Sequence, residues 1–365
     1  MSTTVKAADA AQFLSLVPLL LGYTPTESLV LVPMRQGRSL GGMRIDLPPD
    51  GAPPDGLASS AVGMLCRVGA AEAFVAVVYT AASARDGLPG ADLVAALRAS
   101  GKACGLPLVD GLTVAGDGWG SHDDPHLPPG GRDIAELVRE LPAEAGDQAS
   151  GAVLPEVDAA VRAGVAAATA SLRTALEVVC GIPSTHERLA RVDPAALEAA
   201  CTLDDLPVLY EDALDWDAAS LDPMRTAVIA WCLGRPALRD VGIVQWATDL
   251  FGGEEALDAQ LTWEHGGDYP PDIACVMWGE GPRPDAERLE AALRLARHVA
   301  AALPTDGRAG PLATAAWLSW ALGRSTHAEE YARAAQDADP DHGLAEIVRS
   351  FVAAAHLPDW AFRRA

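Results

Sequence analysis

An α/β domain followed by an all-helical one is the fold class this sequence predicts, on three observations. Up to about residue 116, short apolar runs with strand character alternate with helix-like stretches. From about residue 156 helix follows helix, with VMW at 276–278 too short to count as a strand. A segment rich in proline and glycine, 125–152, separates the two regimes. The expected layout is an α/β domain over 1–125, a Pro/Gly-rich linker over 126–152 and an α-helical domain over 153–365.

The elements follow from local pattern. Residues 8–21 are apolar at helical spacing, with Pro18 predicting a bend or restart and Gly22 a stop. LVLVP (29–33) is a buried strand, RQGRSLGG a hairpin-like connection, and GGMRIDLP a second strand ended by Pro48 and Pro49. A helix over 57–70, a strand over 71–80, a helix over 91–106 and a strand over 107–116 follow. Crossover helices between strands predict a mixed, mostly parallel sheet. RDIAELVRE (132–140) is a further helix candidate. Beyond it, helices are expected over 156–180, 184–201, 223–234, 240–251, 286–302, 311–323, 326–337 and 341–355. In the last of these, Gly323, Ala328, Ala335 and Pro340 have the spacing of the second helix of a tetratricopeptide unit and its following turn. No second copy at that period supports a repeat array; a tetratricopeptide-like helix pair is expected instead.

Charge and composition narrow the function. Fifty acidic residues against 27 basic ones give a formal net charge of −23. Such a field repels phosphate backbones, and no Lys/Arg cluster offsets it, so neither nucleic acid nor an anionic membrane is an expected partner. A basic protein surface or a cation suits it better. Lys6 and Lys102 are the only lysines, so the Lys-versus-Arg choice carries little information at any one site. The six cysteines are scattered without a CxxC pair, and are expected as buried small hydrophobes in a reducing cytoplasm. The run FLSLVPLLLG is too short for a span of about 20 residues and follows an aspartate rather than a basic segment. A cytoplasmic protein is expected.

The sharpest chemical question is posed by GWGSHDDPHLPPGG (118–131), too rich in glycine and proline for helix or strand. A loop there can bring His122, Asp123 and His126 round one ion, and two histidines with one carboxylate suit divalent Zn, Mn or Fe. The plainer alternative is an exposed polar turn. Its position after the last strand favours a site, because α/β sheets bind ligands beyond strand carboxyl ends. Arg44 and Asp46, two apart on a strand, share one face while Ile45 takes the other. They are candidates for binding a polar ligand, or form an edge ion pair. Glu27 and Ser28, between the Pro25 turn and a buried strand, are candidates to line the same rim, or bond only the local backbone. Ser184 and His186 in GIPSTHERL face differently, and Ser184 reads as a helix cap. Phosphate-loop, dinucleotide-binding, GxSxG and HExxH signatures are missing. The nine tryptophans do not cluster with basic residues and read as core or interface anchors.

VPLLLGYTPTESLVLV followed by RIDLP resembles the opening of the bacterial family catalogued as domain of unknown function 4192. Pro18, Gly22, Pro25, Ser28, Arg44, Asp46 and Pro48 carry the likeness, with Arg239-Asp240 and the stretch LATAAWLSWALGRSTHAEEYARAAQDADPDHGLAEIV near the other end. Many members carry a cysteine-rich segment where this chain has GSHDDPHLPPGG. The resemblance implies that any metal or redox site there has exchanged its ligands or been lost. It implies a domain layout and no reaction. Two functions are therefore carried forward. One is a non-catalytic interaction or regulatory protein whose helical domain binds a protein partner or a second copy. The other is a metal-dependent or small-molecule enzyme, hydrolase-like, at the strand ends.

Overall fold

The structure, a computed structural model, describes residue 7 and residues 9–49, 51–138, 146–181 and 192–362. The chain divides into two compact units, Met1–Gly151 and Ala152–Ala365. Among the described residues no helix is long and apolar enough to cross a membrane.

In the first unit, helix α1 (Ala10–Leu21) begins where the Asp9 carboxylate accepts a hydrogen bond from the Gln12 amide and runs through Pro18 unbroken. It ends at Gly22, whose φ of 83° is left-handed and lets its N–H reach the Pro18 carbonyl. The strands are β1 (Ser28–Arg35), β2 (Arg38–Ser39), β3 (Met43–Asp46), β4 (Ala73–Tyr79), β5 (Leu108–Val114) and β6 (Trp119–Ser121). Helices α2 (Pro54–Cys66) and α3 (Ala91–Ala103) precede β4 and β5. Strand order is β2–β1–β4–β5–β6, with β3 also paired to β1.

The sheet is mixed, but the expected parallel majority does not hold: β4–β5 is the parallel pair, while β1 pairs antiparallel with β2, β3 and β4, and β5 with β6. The cause is the hairpin after β1, since a tight connection can only give an antiparallel neighbour. β1 then inserts between β3 and β4, which point the same way without touching. β6 returns on β5 through a turn in which the Ala115 N–H donates to the Gly118 carbonyl at 2.8 Å. Trp119–Ser121 is thus a strand inside the stretch expected to be loop.

Alternation along β1 feeds two cores. Leu29 and Leu31 join Phe74, Ala76, Val78 and the inward faces of α2 and α3. Val30 and Val32 join Val75, Val77, Tyr79, Leu112 and Trp119 under Leu14 and Val17 of α1. A strand buried on both faces explains the continuous apolar run LVLV.

Residues 126–138 and 146–151, expected as linker, fall within the first unit. Arg132 bridges Trp119 by two backbone bonds of 2.7 and 3.0 Å, the Val138 amide donates to Ser15 Oγ at 3.0 Å, and Gln148 bonds Thr26. Within RDIAELVRE a single 3-10 turn, Ile134–Glu136, replaces the expected helix, with residues 139 and 140 outside the described residues.

The second unit is helical: α4 (Ala159–Val179), α5 (Pro194–Cys201), α6 (Leu206–Leu214), α7 (Pro223–Leu233), α8 (Pro236–Ala247), α9 (Leu250–Glu264), α10 (Pro271–Met277), α11 (Ala286–Ala302), α12 (Ala309–Ala321), α13 (Ser325–Ala338) and α14 (Gly343–Ala353). Ser184 and His186, with the start of the helix expected at 184–201, lie outside the described residues. The helix expected over 240–251 is two helices broken at Thr248, where Asp249 caps α9 by accepting from the Gly252 amide.

Every residue of α12 is buried. It packs against α13, where Ala328 and Ala335 are fully buried, and the turn between them uses Gly323 at φ 79°. The buried tryptophans spend their indole N–H groups on carbonyls: Trp246 on Tyr210, Trp317 on Met277, Trp320 on His356 and Trp360 on Ala321, at 2.7–3.2 Å.

Two glycine substitutions test this packing. A Cβ on Gly101 in α3 would lie 2.5 Å from the Leu106 carbonyl oxygen and 2.9 Å from the Phe74 ring. Gly101→Ala is expected to lower unfolding free energy by about 1–3 kcal/mol. Gly63, exposed in α2 with open space around it, is expected to gain about 0.5–1 kcal/mol as alanine. Denaturant titration of both variants reads the two signs.

Candidate functional site

The register of β1 builds a polar row at one end of the sheet. Ser28 pairs with Asp46 on one side and Tyr79 on the other; Tyr79 pairs with Val114, and Val114 with Trp119. Paired residues share a face, here the face covered by α1. One step inward, Arg44 pairs with Val30, on the same face, while Ile45 and Met43 pack into the opposite core. The alternation expected of MRID is therefore present.

Around this row the side chains interlock. Ser28 is fully buried; its hydroxyl donates to the Thr26 carbonyl at 2.6 Å and accepts from Arg44 Nε at 2.7 Å. Arg44 Nη2 donates to the Asp46 carboxylate. The arginine side chain is 7% exposed and the aspartate 80% exposed, so a nearly buried cation is neutralised by an anion standing in water. Tyr23, placed by the Gly22 turn, lies in the field of both; burial raises its phenol pKa, Arg44 opposes that rise and Asp46 adds to it.

Glu27 has φ of 41°, a left-handed conformation costly for a residue with a Cβ. That turn aims its carboxylate at the end of β4, where it accepts from the Ala81 amide at 2.6 Å and Thr80 Oγ1 at 3.1 Å. Its own carbonyl accepts from the Leu47 amide at 3.0 Å. Glu27, Ser28, Arg44 and Asp46 are thus brought together by the ends of β1, β3 and β4.

The chemistry of this arrangement is restricted. Ser28 has its proton on a carbonyl and a lone pair on a guanidinium, with no base aligned on it, so it lacks the activation a nucleophile needs. The row nevertheless contains an unmet demand. Tyr79 Oη is buried with no hydrogen-bond partner among the described residues, and burial alone drives its pKa upward.

The histidine loop lies elsewhere. The His122 amide donates to the Gly111 carbonyl at 2.8 Å, and its Nε2 lies 2.9 Å from Thr113 Oγ1. Thr113 spends its hydroxyl proton on the Pro89 carbonyl at 2.9 Å, so His122 Nε2 is the donor to Thr113 and the neutral ring carries its proton there. Burial lowers the His122 pKa, with Asp123 and Asp110 acting against it and Arg98 with it. Asp123 is held by Arg98 of α3 at 2.7 Å. Asp124 is held by Arg132 at 2.7 Å and accepts from the His126 amide at 2.9 Å.

The ion-binding arrangement expected of His122, Asp123 and His126 is not formed. Among the described residues no group of three or more His, Cys, Asp or Glu is placed to hold a metal. His122 and Asp123 are engaged on Thr113 and Arg98, while His126 is exposed. Thr113 pairs with Val78, whose side chain lies in the α2–α3 core, so His122 occupies the face opposite Arg44. β3 and β6 are separated by β1, β4 and β5, which sets them roughly 19 Å apart at about 4.8 Å per strand. The two expected ligand groups do not share a rim.

Other polar clusters gave no local signal in the sequence. Asp117 accepts from Ser83 Oγ at 2.6 Å and the Ala84 amide at 2.7 Å, and these bonds hold its carboxyl pKa down. In the second unit, Arg288 makes a double bond pair to Glu211, which also accepts from Gln245 at 3.0 Å. Arg239, 6% exposed, donates to its neighbour Asp240 at 2.8 Å and lies 3.5 Å from His342 Nε2. Burial lowers the His342 pKa, and the Arg239 charge lowers it further. Trp278, half exposed, tilts against Phe351, whose ring neighbours His356 and Trp320.

A mixed α/β unit with a buried-arginine rim, joined to an all-helical unit, is the class these features define. The family model described as Domain of unknown function (DUF4192) matches residues 11–359, and the chain belongs to that family. No curated protein and no solved structure matches it.

Arg44→Ala, which empties a nearly buried position and strips Ser28 and Asp46 of a partner, is expected to cost about 2–4 kcal/mol. Asp46→Asn, at a solvated carboxylate, is expected to cost less than about 1 kcal/mol by the same unfolding measurement. For His122 the folded pKa lies below the unfolded value of about 6.5, so the unfolded state takes up the proton first as pH falls. Its contribution is intact above about pH 6.5 and is lost as pH drops through the folded value. His122→Gln keeps an N–H donor without a titrating ring. It is expected to flatten that segment of a stability-versus-pH curve, leaving the share due to His342.

Proposed function

We propose that this is a cytoplasmic, non-catalytic interaction protein whose helical unit binds a basic segment of a protein partner. The observation that carries the reading is helix α9. Gly253, Ala256 and Ala259 turn inward, while Phe251, Leu261 and Trp263 are 64%, 46% and 57% exposed. Exposed aromatic side chains, tryptophan above all, are frequent anchors in contact surfaces. Glu254, Glu255 and Asp258 stand between Phe251 and Leu261 along the helix, and Glu264 follows Trp263, all exposed. Exposed carboxylates interspersed with exposed apolar side chains suit a cationic amphipathic segment and steer it in. Like charge disfavours a second copy seated face to face on the same helix. On this reading the tetratricopeptide-like pair α12–α13 is the scaffold and α9 the contact.

The test uses a lysine- and leucine-containing amphipathic peptide and its glutamate-containing counterpart. The basic peptide is expected to bind the full chain, shift the tryptophan emission to shorter wavelength in the native chain but not in a Trp263→Phe variant, and weaken as salt rises. Phe251→Ser combined with Trp263→Ser is expected to abolish binding without unfolding the protein. Equal binding of the acidic peptide, or full binding by the double variant, contradicts the proposal.

A second reading, a small-molecule site at the Glu27–Ser28–Arg44–Asp46 rim, is favoured by the orphaned Tyr79 hydroxyl. An enzyme built there would have to do without the His122 loop. If nothing meets the hydroxyl, Tyr79→Phe removes an unsatisfied buried group and is expected to stabilise the protein by about 1 kcal/mol. A loss of similar size in protein as purified would instead support a bound partner at that rim.

A further inference from the structure

The cysteines do not follow their expected burial. Cys232 is buried and Cys275 half-buried, but Cys66, Cys104, Cys180 and Cys201 are exposed. Two of these are brought together by topology. β4 and β5 are parallel neighbours whose starts meet at the Phe74–Leu108 pair, and the Phe74 amide donates to the Pro107 carbonyl at 3.1 Å. Helix α2 leads into β4 and α3 into β5. The two helices cover the same face and pack on each other, so their last turns lie side by side. Cys66 is the final residue of α2 and Cys104 the C-cap of α3. Cys104 stands close enough to bear on the Cys66 thiol: burial raises the Cys66 pKa, and its Cys104 neighbour raises it further. Both thiols sit at helix C-termini on the same face of the sheet.

We propose that Cys66 and Cys104 are a modification site that forms a reversible disulfide clamping α2 to α3, with a low-molecular-weight disulfide as the oxidant. A thiolate at Cys66 attacks one sulfur of that disulfide, and the leaving half departs as a thiol after taking a proton. The resulting mixed disulfide is attacked by Cys104 as thiolate, which expels the second thiol. Both protein sulfurs are oxidised, the small disulfide is reduced to two thiols, and the two protein protons end on them. The new bond closes a loop containing β4 and α3, which restricts the unfolded chain and stabilises the clamped form.

The test is oxidation of the reduced full chain by glutathione disulfide, followed by intact mass and non-reducing peptide mapping. The expected product has lost two hydrogens, yields a peptide joining Cys66 to Cys104, and melts several degrees higher until dithiothreitol reverses it. Cys66→Ser and Cys104→Ser are each expected to stop at a mixed disulfide with no such rise. The Cys180→Ser/Cys201→Ser double variant is expected to behave as the native chain. Separate adducts on Cys66 and Cys104, pairing through Cys180 or Cys201, or a native chain that stays reduced would each overturn the proposal.

Discussion

The register of β1 decides what the α/β unit can present. This strand is paired on both edges and buried on both faces, with Leu29 and Leu31 in one core and Val30 and Val32 in the other. A slip by one residue would exchange the two sets and turn Ser28 away from Arg44. The guanidinium is tolerable at its depth because that register sets Ser28 Oγ against Nε and Asp46 against Nη2. The strained Glu27 belongs to the same arrangement. Its carboxylate, bonded to Thr80 and Ala81, ties the entrance of β1 to the exit of β4. The rim is therefore a consequence of the packing rather than an addition to it.

The helical unit is organised by a different constraint. Helix α12 is buried all round: Thr314 donates to the Gly310 carbonyl and the indoles of Trp317 and Trp320 reach carbonyls outside the helix, while the Ser319 hydroxyl is left without a partner among the described residues. Small residues make the contact possible. A Cβ on Gly310 would stand 2.2 Å from the Leu233 carbonyl oxygen. Helix α9 shows the opposite economy, with small residues inward and its aromatic side chains left to solvent.

Much of the architecture was legible because periodicity is local. The alternation in MRID, the two-sided burial of LVLV, the Gly22 stop and the small residues Ala328 and Ala335 all follow from spacing along the chain. Strand order does not: nothing in the runs 29–33 and 71–80 says that β1 enters between β3 and β4. The candidate site divided along the same line. Glu27, Ser28, Arg44 and Asp46 stand together because turn and strand spacing set them at neighbouring strand ends. His122, Asp123 and His126 were grouped because they are close in sequence, whereas His122 is engaged by Thr113 on the adjoining strand and Asp123 by Arg98, 25 residues away. The cysteines failed for a related reason. Composition speaks for an average thiol, and helix-terminal positions such as Cys66 and Cys104 are not average. Glu211, Gln245 and Arg288, drawn from three helices, left no trace in any one segment.

The most direct test of this account is the β1 register in solution, read from cross-strand backbone contacts by NMR on the isotope-labelled chain. The account predicts that Leu29 is paired with Ile45 on one edge and with Val78 on the other. Contacts pairing Val30 with those two residues would place Ser28 and Arg44 on different faces, and would contradict both the rim and its separation from the His122 loop.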